Sequence, residues 1–278
     1  MIYDDRQCSL GEGPLWHPLR EQLFWFDINN HQLLTKDKSW QFDEYVSAAG
    51  WVDHDTLLIA SETQLFTFNV ETGEQEYMAP LESDNDVTRS NDGRADPQGG
   101  FWIGTMGKNA EPRAGAIYRY FEGSVRKLFG NITISNSICF APSGDRAYYC
   151  DTIAKVIKTV ALDEDGWPIG KPSVAADLTA TGENPDGSVV DADGNIWNAQ
   201  WGASRVACYG ADGEFKTAVQ VAAKQVTCPA FAGASGRMFV TSATEGLDPS
   251  ALADAPDNGK TFEVTVDAIG QKEHQVIL

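Results

Sequence analysis

Short β-rich runs, each preceded by a turn signal, recur along this chain at a spacing that few folds can accommodate. The runs include QLFWFDI, TLLIASE, GFWIGTM, RAYYCDT, NIWNAQW and RMFVTSA. The turn positions of the six copies are Arg20, Asp55, Gly99, Gly144, Gly194 and Gly236. The four glycines are separated by 45, 50 and 42 residues. Six copies with a period of about 40 to 50 residues are typical of a β-propeller with four strands per blade.

The predicted fold is therefore all-β: a six-bladed β-propeller of four antiparallel strands per blade, formed by residues 1–278 as one domain. Six blades leave about 46 residues for each. A single blade cannot bury both of its faces, so neighbouring blades must cover it and the ring must close. A pair of β-sandwiches or a β-helix is the competing interpretation. A sandwich would show turns every 8 to 12 residues or so, without the longer period.

Composition narrows the class of partner. The net charge is −19, from 21 basic and 40 acidic residues, which leaves no basic field to attract nucleic acid or an anionic membrane. We find no apolar run long enough for a transmembrane helix and no signal-peptide pattern at the start. The five cysteines are scattered and form no CxxC pair, which favours reduced thiols and a cytoplasmic location. Nothing in the sequence indicates the oligomeric state.

Two Asp-Gly pairs lie within NPDGSVVDADGNIW, and they receive different interpretations. Asp193-Gly194 is predicted to form a hairpin turn, because this pair tolerates the positive φ that such turns require. The same stretch is not a helix–loop–helix calcium loop, since its glycine comes too early and Gly202 stands where the loop needs Glu. Asp186-Gly187 is predicted to lie in the innermost strand, with Asp186 facing the central channel.

The residue eight positions before each turn position is the same point of the repeat in every blade. These six residues are Glu12, Ser47, Asn91, Asn136, Asp186 and Cys228. Pseudo-symmetry predicts that they lie near one end of the channel. Two carboxylates and two amides converging there suit a hard divalent cation, whereas without one the carboxylates would repel each other. The alternative is that these Asn and Asp side chains bond their own backbone at strand starts.

Four stretches also carry a family resemblance: LGEGPLW, RSNDGRADPQGGFWIGTM, ISNSICFAPSGDRAYYCDT and NPDGSVVDADGNIWNAQW. They resemble the regucalcin/gluconolactonase family of sugar lactonases, and the bacterial pentonolactonase and gluconolactonase branch in particular. The resemblance extends from about Leu10 to MFVTSATEGL. It implies a six-bladed propeller, one divalent metal in the channel and hydrolysis of a sugar lactone.

The resemblance also implies individual roles. Glu12, Asn136 and Asp186 match the metal ligands, and Arg89 and Asn91 match the groups that hold the substrate. One departure is Ser137, which stands where the family often has Gly and is expected to restrict the backbone beside a ligand. The loop 107–115 is expected to overhang the channel mouth, where Lys108, Glu111 or Arg113 could reach the substrate; the alternative is a solvated loop without such contacts. Asp151 could be a polar group near the channel or a strand-end residue.

The chemistry follows from the metal and its carboxylates. A divalent ion, whether Ca²⁺, Zn²⁺, Mg²⁺, Mn²⁺ or Fe²⁺, would polarise the lactone carbonyl and acidify a water. Asp186 is the predicted general base. No GxSxG or HExxH motif supports another hydrolytic scheme. An organophosphate hydrolase on the same scaffold and a non-catalytic calcium-binding propeller remain as alternatives.

Overall fold

The computed structural model describes residues 1–278, and its secondary structure is almost entirely β. A 3₁₀ turn at Thr152–Ala154 and the short helix α1 at Pro249–Asp254 are the two helical elements. No helix in the chain has the length and apolar character needed to cross a membrane. The strands are β1 Ile2–Asp4, β2 Gly11–His17, β3 Gln22–Asp27, β4 Gln32–Thr35, β5 Lys38–Gln41, β6 Val46–Trp51, β7 Thr56–Ser61, β8 Gln64–Asn69, β9 Gln75–Pro80, β10 Thr88–Ala95, β11 Phe101–Gly107, β12 Gly115–Phe121, β13 Ser124–Ile132, β14 Ser135–Phe140, β15 Arg146–Asp151, β16 Val156–Leu162, β17 Pro168–Asp177, β18 Asn184–Val190, β19 Ile196–Trp201, β20 Arg205–Tyr209, β21 Phe215–Gln220, β22 Val226–Phe231, β23 Arg237–Ser242 and β24 Thr261–Thr265.

The strands form six antiparallel sheets of four strands each, which confirms the predicted six-bladed propeller. Blades 1 to 5 take four consecutive strands each, from β2–β5 to β18–β21. Blade 6 has the order β22-β23-β24-β1, so its outermost strand comes from the start of the chain. Main-chain pairing of Ile2 with Phe262 makes this joint. The ring is therefore closed by hydrogen bonds between the two ends of the sequence, which leaves no open blade edge at the seam.

Most of the predicted turns are also present. Gly99, Gly144 and Gly194 each have a positive φ of 73° to 90°, which a residue without Cβ adopts at little cost. Asp193-Gly194 lies in the turn between β18 and β19, as predicted, whereas Asp186 lies inside β18. Gly236 differs, since the positive φ of its turn belongs to Gly233.

The first strand of every blade lines the channel, and each has a register shift at the same point of the repeat. The shifts fall between Glu12 and Leu15, Val46 and Ala48, Ser90 and Gly93, Asn136 and Cys139, Pro185 and Ser188, and Val226 and Pro229. A β-bulge bends a strand and re-aims its side chains. The bulges therefore coincide with the six positions that the repeat count identified.

The opposite end of the channel is covered by residues 270–278, which we call the C-terminal strap. Within the strap, the Glu273 carboxylate accepts a hydrogen bond from Arg94 of β10 at 2.5 Å, and both side chains are largely buried. The strap also donates hydrogen bonds to carbonyls of blades 2 to 5, namely those of Trp51, Val52, Gly99, Phe140 and Val190. The channel is thus open to ligands at the end where the first strands begin.

Candidate active site

A cavity of about 560 Å³ occupies the open end of the channel. Four of the six repeat-phase residues line it: Glu12, Asn91, Asn136 and Asp186. Arg89, two residues before Asn91 on β10, also lines it. The structure thus brings together all five residues that the sequence singled out, from blades 1, 3, 4 and 5.

The other two repeat-phase residues, Ser47 and Cys228, do not line this cavity, so the prediction from pseudo-symmetry is wrong for them. The Ser47 hydroxyl turns to the neighbouring blade and donates to Ser90 Oγ at 2.7 Å. The Cys228 side chain lies against Gly187, where a Cβ would come within 2.3 Å of its sulfur. Both are small side chains that pack between first strands and leave the channel to the longer polar ones.

Glu12 and Asp186 are the two buried carboxylates of the cavity, with 4% and 6% of their surface exposed. They lie close enough for one to hydrogen-bond the other when protonated. Burial is the main cause that raises the pKa of both groups. The negative charges of Glu12 and Asp92 raise the pKa of Asp186 further, and the charge of Asp92 also raises the pKa of Glu12. Two buried carboxylates in contact are an unfavourable arrangement that a cation would relieve.

A chain of hydrogen bonds orients the polar groups around these carboxylates. Arg89 Nη1 donates to Asn91 Oδ1 at 2.8 Å. Asn91 Nδ2 donates to the Ser135 carbonyl at 2.8 Å and more weakly to Asn136 Oδ1 at 3.3 Å. Asn136 Nδ2 donates to Thr152 Oγ1 at 2.9 Å. Asn91 therefore has its amide oxygen engaged by Arg89, while the Asn136 amide oxygen lies on the side of Asn91, which also lines the cavity, and not on the side of Thr152.

The donor set fits a hard divalent cation. Glu12, Asp186 and the Asn136 amide oxygen are all oxygen ligands of the kind that Ca²⁺ and Mg²⁺ take, and three protein ligands leave positions for water and substrate. No group of three or more His, Cys, Asp or Glu side chains with metal-binding geometry occurs in the chain. A thiolate or imidazole site of the zinc-finger type is therefore not formed, and a cation bound here would need an amide oxygen beside the two carboxylates.

The raised carboxyl pKa values predict how the metal-free protein responds to pH. Burial also raises the pKa of Asp92 to about 6. Unfolded carboxyls ionise near pH 4, so between that pH and the raised folded-state values the folded chain holds more protons than the unfolded chain. The contribution of Glu12, Asp92 and Asp186 to the free energy of unfolding is therefore present at low pH and declines as pH rises through 6 and beyond. We expect chelator-treated protein to lose several degrees of melting temperature from this source between about pH 5 and pH 8.

The measurement is the melting temperature against pH for wild-type and Glu12→Gln protein, both free of metal. Half-buried carboxyls with a lowered pKa, such as Glu263 beside Arg237, have the opposite dependence. The difference between the two proteins removes that background. A difference that does not change with pH would contradict the prediction.

The remaining walls include residues that the sequence patterns did not single out. Apolar contacts come from Leu10, Met106, Ile134, Ile153 and Trp201, and further polar groups from Asn109, Thr152, Asn184 and Glu245. Of the three candidates in the loop 107–115, Lys108 lines the cavity and forms an ion pair with Glu62, whereas Glu111 and Arg113 do not line it. Leu10, Ile134 and Asn184 stand two residues before Glu12, Asn136 and Asp186, as Arg89 stands before Asn91. A count one pleat further back along each first strand could therefore have identified them.

The structure answers two questions that the sequence left open, one by hydrogen bonds and one by a backbone angle. The Asp151 carboxylate accepts from the backbone N–H groups of Thr133 and Ile134 at 2.9 and 3.1 Å, so it is a strand-end residue and not a cavity group. Ser137 has a φ of +61°, the left-handed region in which Gly is unstrained. The expected restriction beside Asn136 is therefore present, and the chain accommodates it in a non-Gly residue.

Comparison with known proteins accounts for this combination of fold and residues. Residues 10–244 match the family described as "SMP-30/Gluconolactonase/LRE-like region". The chain belongs to the SMP-30/gluconolactonase family. It is 37% identical to an L-arabinolactonase of Azospirillum brasilense over 93% of this chain and 89% of that protein. It is 30% identical to a pentonolactonase of Haloferax volcanii over 96% of this chain and 90% of that protein.

A solved structure of the family agrees over the whole length. The calcium-binding protein regucalcin from Agrobacterium tumefaciens superimposes with a TM-score of 0.95 at 40% sequence identity. The match covers 100% of this chain and 97% of that one. The family relationship therefore holds for the complete propeller and includes the blades that carry the cavity.

Proposed function

We propose that this member of the SMP-30/gluconolactonase family hydrolyses the ring ester of a sugar lactone, in a reaction that depends on one divalent cation. The observation that carries the proposal is the pair of buried carboxylates, Glu12 and Asp186, converging with the Asn136 amide in an open cavity. The relatives named as arabinolactonase and pentonolactonase support a five-carbon aldonolactone as the substrate, and the gluconolactonase family description extends the class to six carbons.

In this proposal Glu12, Asn136 and Asp186 hold the cation. The cation would supply a Lewis acid for the lactone carbonyl and lower the pKa of a water. Asp186 accepts the proton of the attacking water, because its carboxylate lines the cavity beside the other proposed ligands and lies within reach of a water that attacks a bound lactone. When the ring C–O ester bond breaks, Asp186 returns that proton to the leaving ring oxygen, which becomes a hydroxyl of the aldonic acid.

Arg89 and Asn91 bind the substrate. The Nη1 atom of Arg89 is anchored by the Ser90 carbonyl and by Asn91 Oδ1, and its other guanidinium nitrogens have no protein acceptor. They can donate to the hydroxyl or carbonyl oxygens of a lactone. The apolar wall, which includes Trp201 and Met106, can cover the C–H faces of the sugar ring. A cavity with this mixture suits a small polyhydroxylated ligand.

The proposal is tested by reconstitution. Protein stripped with a chelator receives Ca²⁺, Mg²⁺, Mn²⁺, Zn²⁺ or Fe²⁺ in turn, and proton release is followed with five- and six-carbon aldonolactones. A phosphotriester serves as the comparison substrate. Turnover of a lactone that requires one added ion is the expected result. Tight metal binding with no lactone turnover would favour a calcium-binding propeller, and turnover of the phosphotriester alone would favour an organophosphate hydrolase.

Replacement of Asn91 by alanine separates substrate binding from metal binding. It removes one of the two acceptors that anchor Arg89, so we expect KM for the lactone to rise about tenfold. The affinity for the cation should change less, because the Asn91 oxygen is directed at Arg89. Steady-state kinetics and metal titration of the same preparation check this. A loss of metal affinity with unchanged KM would assign Asn91 to the cation instead.

A further inference from the structure

Thr152 lies at the end of β15, where the 3₁₀ turn begins, and it connects two of the proposed cation ligands. Its side chain lines the cavity, and 9% of the residue surface is exposed. Thr152 Oγ1 donates to the Pro185 carbonyl at 2.8 Å and accepts from Asn136 Nδ2 at 2.9 Å. The hydroxyl thus joins the amide ligand of blade 4 to the peptide that precedes Asp186 in blade 5.

The direction of these two bonds determines which atom of Asn136 faces the channel. A hydroxyl has one proton, and the Pro185 carbonyl can only accept, so the proton of Thr152 is committed to Pro185. Thr152 can then only accept from Asn136, which requires the amide nitrogen on that side. The opposite amide orientation would set Asn136 Oδ1 against a lone pair of Thr152. It would also set Nδ2 of Asn136 against Nδ2 of Asn91.

We propose that Thr152 is a positioning residue for the cation site: its hydroxyl keeps the Asn136 amide oxygen turned towards the channel and ties that ligand to Asp186. The proposal rests on the cation site of the proposed function. Groups that orient metal ligands from behind commonly affect metal affinity as much as 10- to 100-fold or so. Asn136 needs such a group more than Glu12 or Asp186, because only one of its two terminal atoms is a ligand.

The test compares three variants of the full chain. Thr152→Val keeps the shape and removes the hydroxyl, and Thr152→Ser keeps the hydroxyl. Thr159→Val is the matched control, because Thr159 is a buried threonine of the same blade whose hydroxyl donates to the Ala147 carbonyl at 3.2 Å, and it does not line the cavity. Each variant is stripped of metal and titrated calorimetrically with Ca²⁺, Mn²⁺ and Zn²⁺, and its metal-free melting temperature is recorded.

We expect Thr152→Val to weaken binding of the ion that wild-type protein binds by about 10- to 100-fold. Thr152→Ser and Thr159→Val should remain within about twofold of wild type. Both valine variants should lose some thermal stability, because each removes a buried hydrogen bond. If Thr152→Val does not fold, Thr152→Ala takes its place with the same expectation.

A second criterion uses protein in which aspartate replaces Asn136, so that the amide ligand becomes a carboxylate. In Asn136→Asp protein a carboxylate presents an oxygen whichever way it turns, so the added Thr152→Val change should reduce metal affinity much less than it does with Asn136. Unchanged metal affinity in Thr152→Val, or an equal loss in the Asn136→Asp background, would overturn the proposal. A raised KM at saturating metal with wild-type metal affinity would also overturn it, because Thr152 would then contact the substrate. Those results would leave the lactonase proposal standing, whereas failure of wild-type protein to bind any of the ions would remove the basis of both.

Discussion

Replacing Asp186 with asparagine is expected to lower lactone turnover by about 10²- to 10⁴-fold, the range for loss of a positioned general base. Asparagine keeps an oxygen that can face the cation but cannot accept the proton of the attacking water. Asp186→Ala should abolish turnover as well, because it removes the ligand and the base together. The measurement is kcat at saturating metal and substrate, with metal affinity determined in parallel.

The matched control for this prediction is Asp193→Asn. Asp193 belongs to the other Asp-Gly pair of the same strand hairpin, and it is exposed in the turn between β18 and β19. The change removes the same charge near the same sheet without touching the cavity, so its kcat should equal that of wild type. If Asp186→Asn kept near-full activity with metal bound, the assignment of the base would be wrong.

The second large effect is expected at the closed end of the channel. Glu273→Ala removes the acceptor of Arg94, and it leaves a guanidinium that is only 11% exposed without its ion-pair partner. Breaking a buried ion pair from one side costs about 3–5 kcal/mol. For a chain of this size that corresponds to a loss of roughly 10 °C in melting temperature.

The melting temperatures of Glu273→Ala and Lys272→Ala protein, measured under the same conditions, check this predicted loss. Lys272 is the exposed neighbour on the same strap, so its truncation should leave the melting temperature nearly unchanged. Equal melting temperatures for the two variants would mean that water or Asp92 compensates the Arg94 charge. The strap would then be a cover without an electrostatic function.

Repetition made much of the fold predictable. Each blade needs its own turn and its own central strand, so the period appears in the turn residues even where the rest of the sequence differs. The same period predicted Glu12, Asn91, Asn136 and Asp186 as one group. The structure explains why, because each lies at a β-bulge that recurs in every first strand. Arg89 lay outside the repeat count and came from the family resemblance alone.

What repetition could not predict are the parts of the molecule that break it. Three contacts join residues that occur once in the chain: the pairing of β1 with β24, the strap across blades 2 to 5, and the contact of Thr152 with Asn136 and Pro185. Ser47 and Cys228 show the same limit, because their position in the repeat matched the ligands while their size and neighbours turned them away. The sequence by itself determined the architecture and the blade position from which a ligand can project, since both depend on local period and turn chemistry. Only the tertiary structure decided which side chains reach the channel and which atom of each faces it, because those depend on hydrogen-bond partners supplied by neighbouring blades.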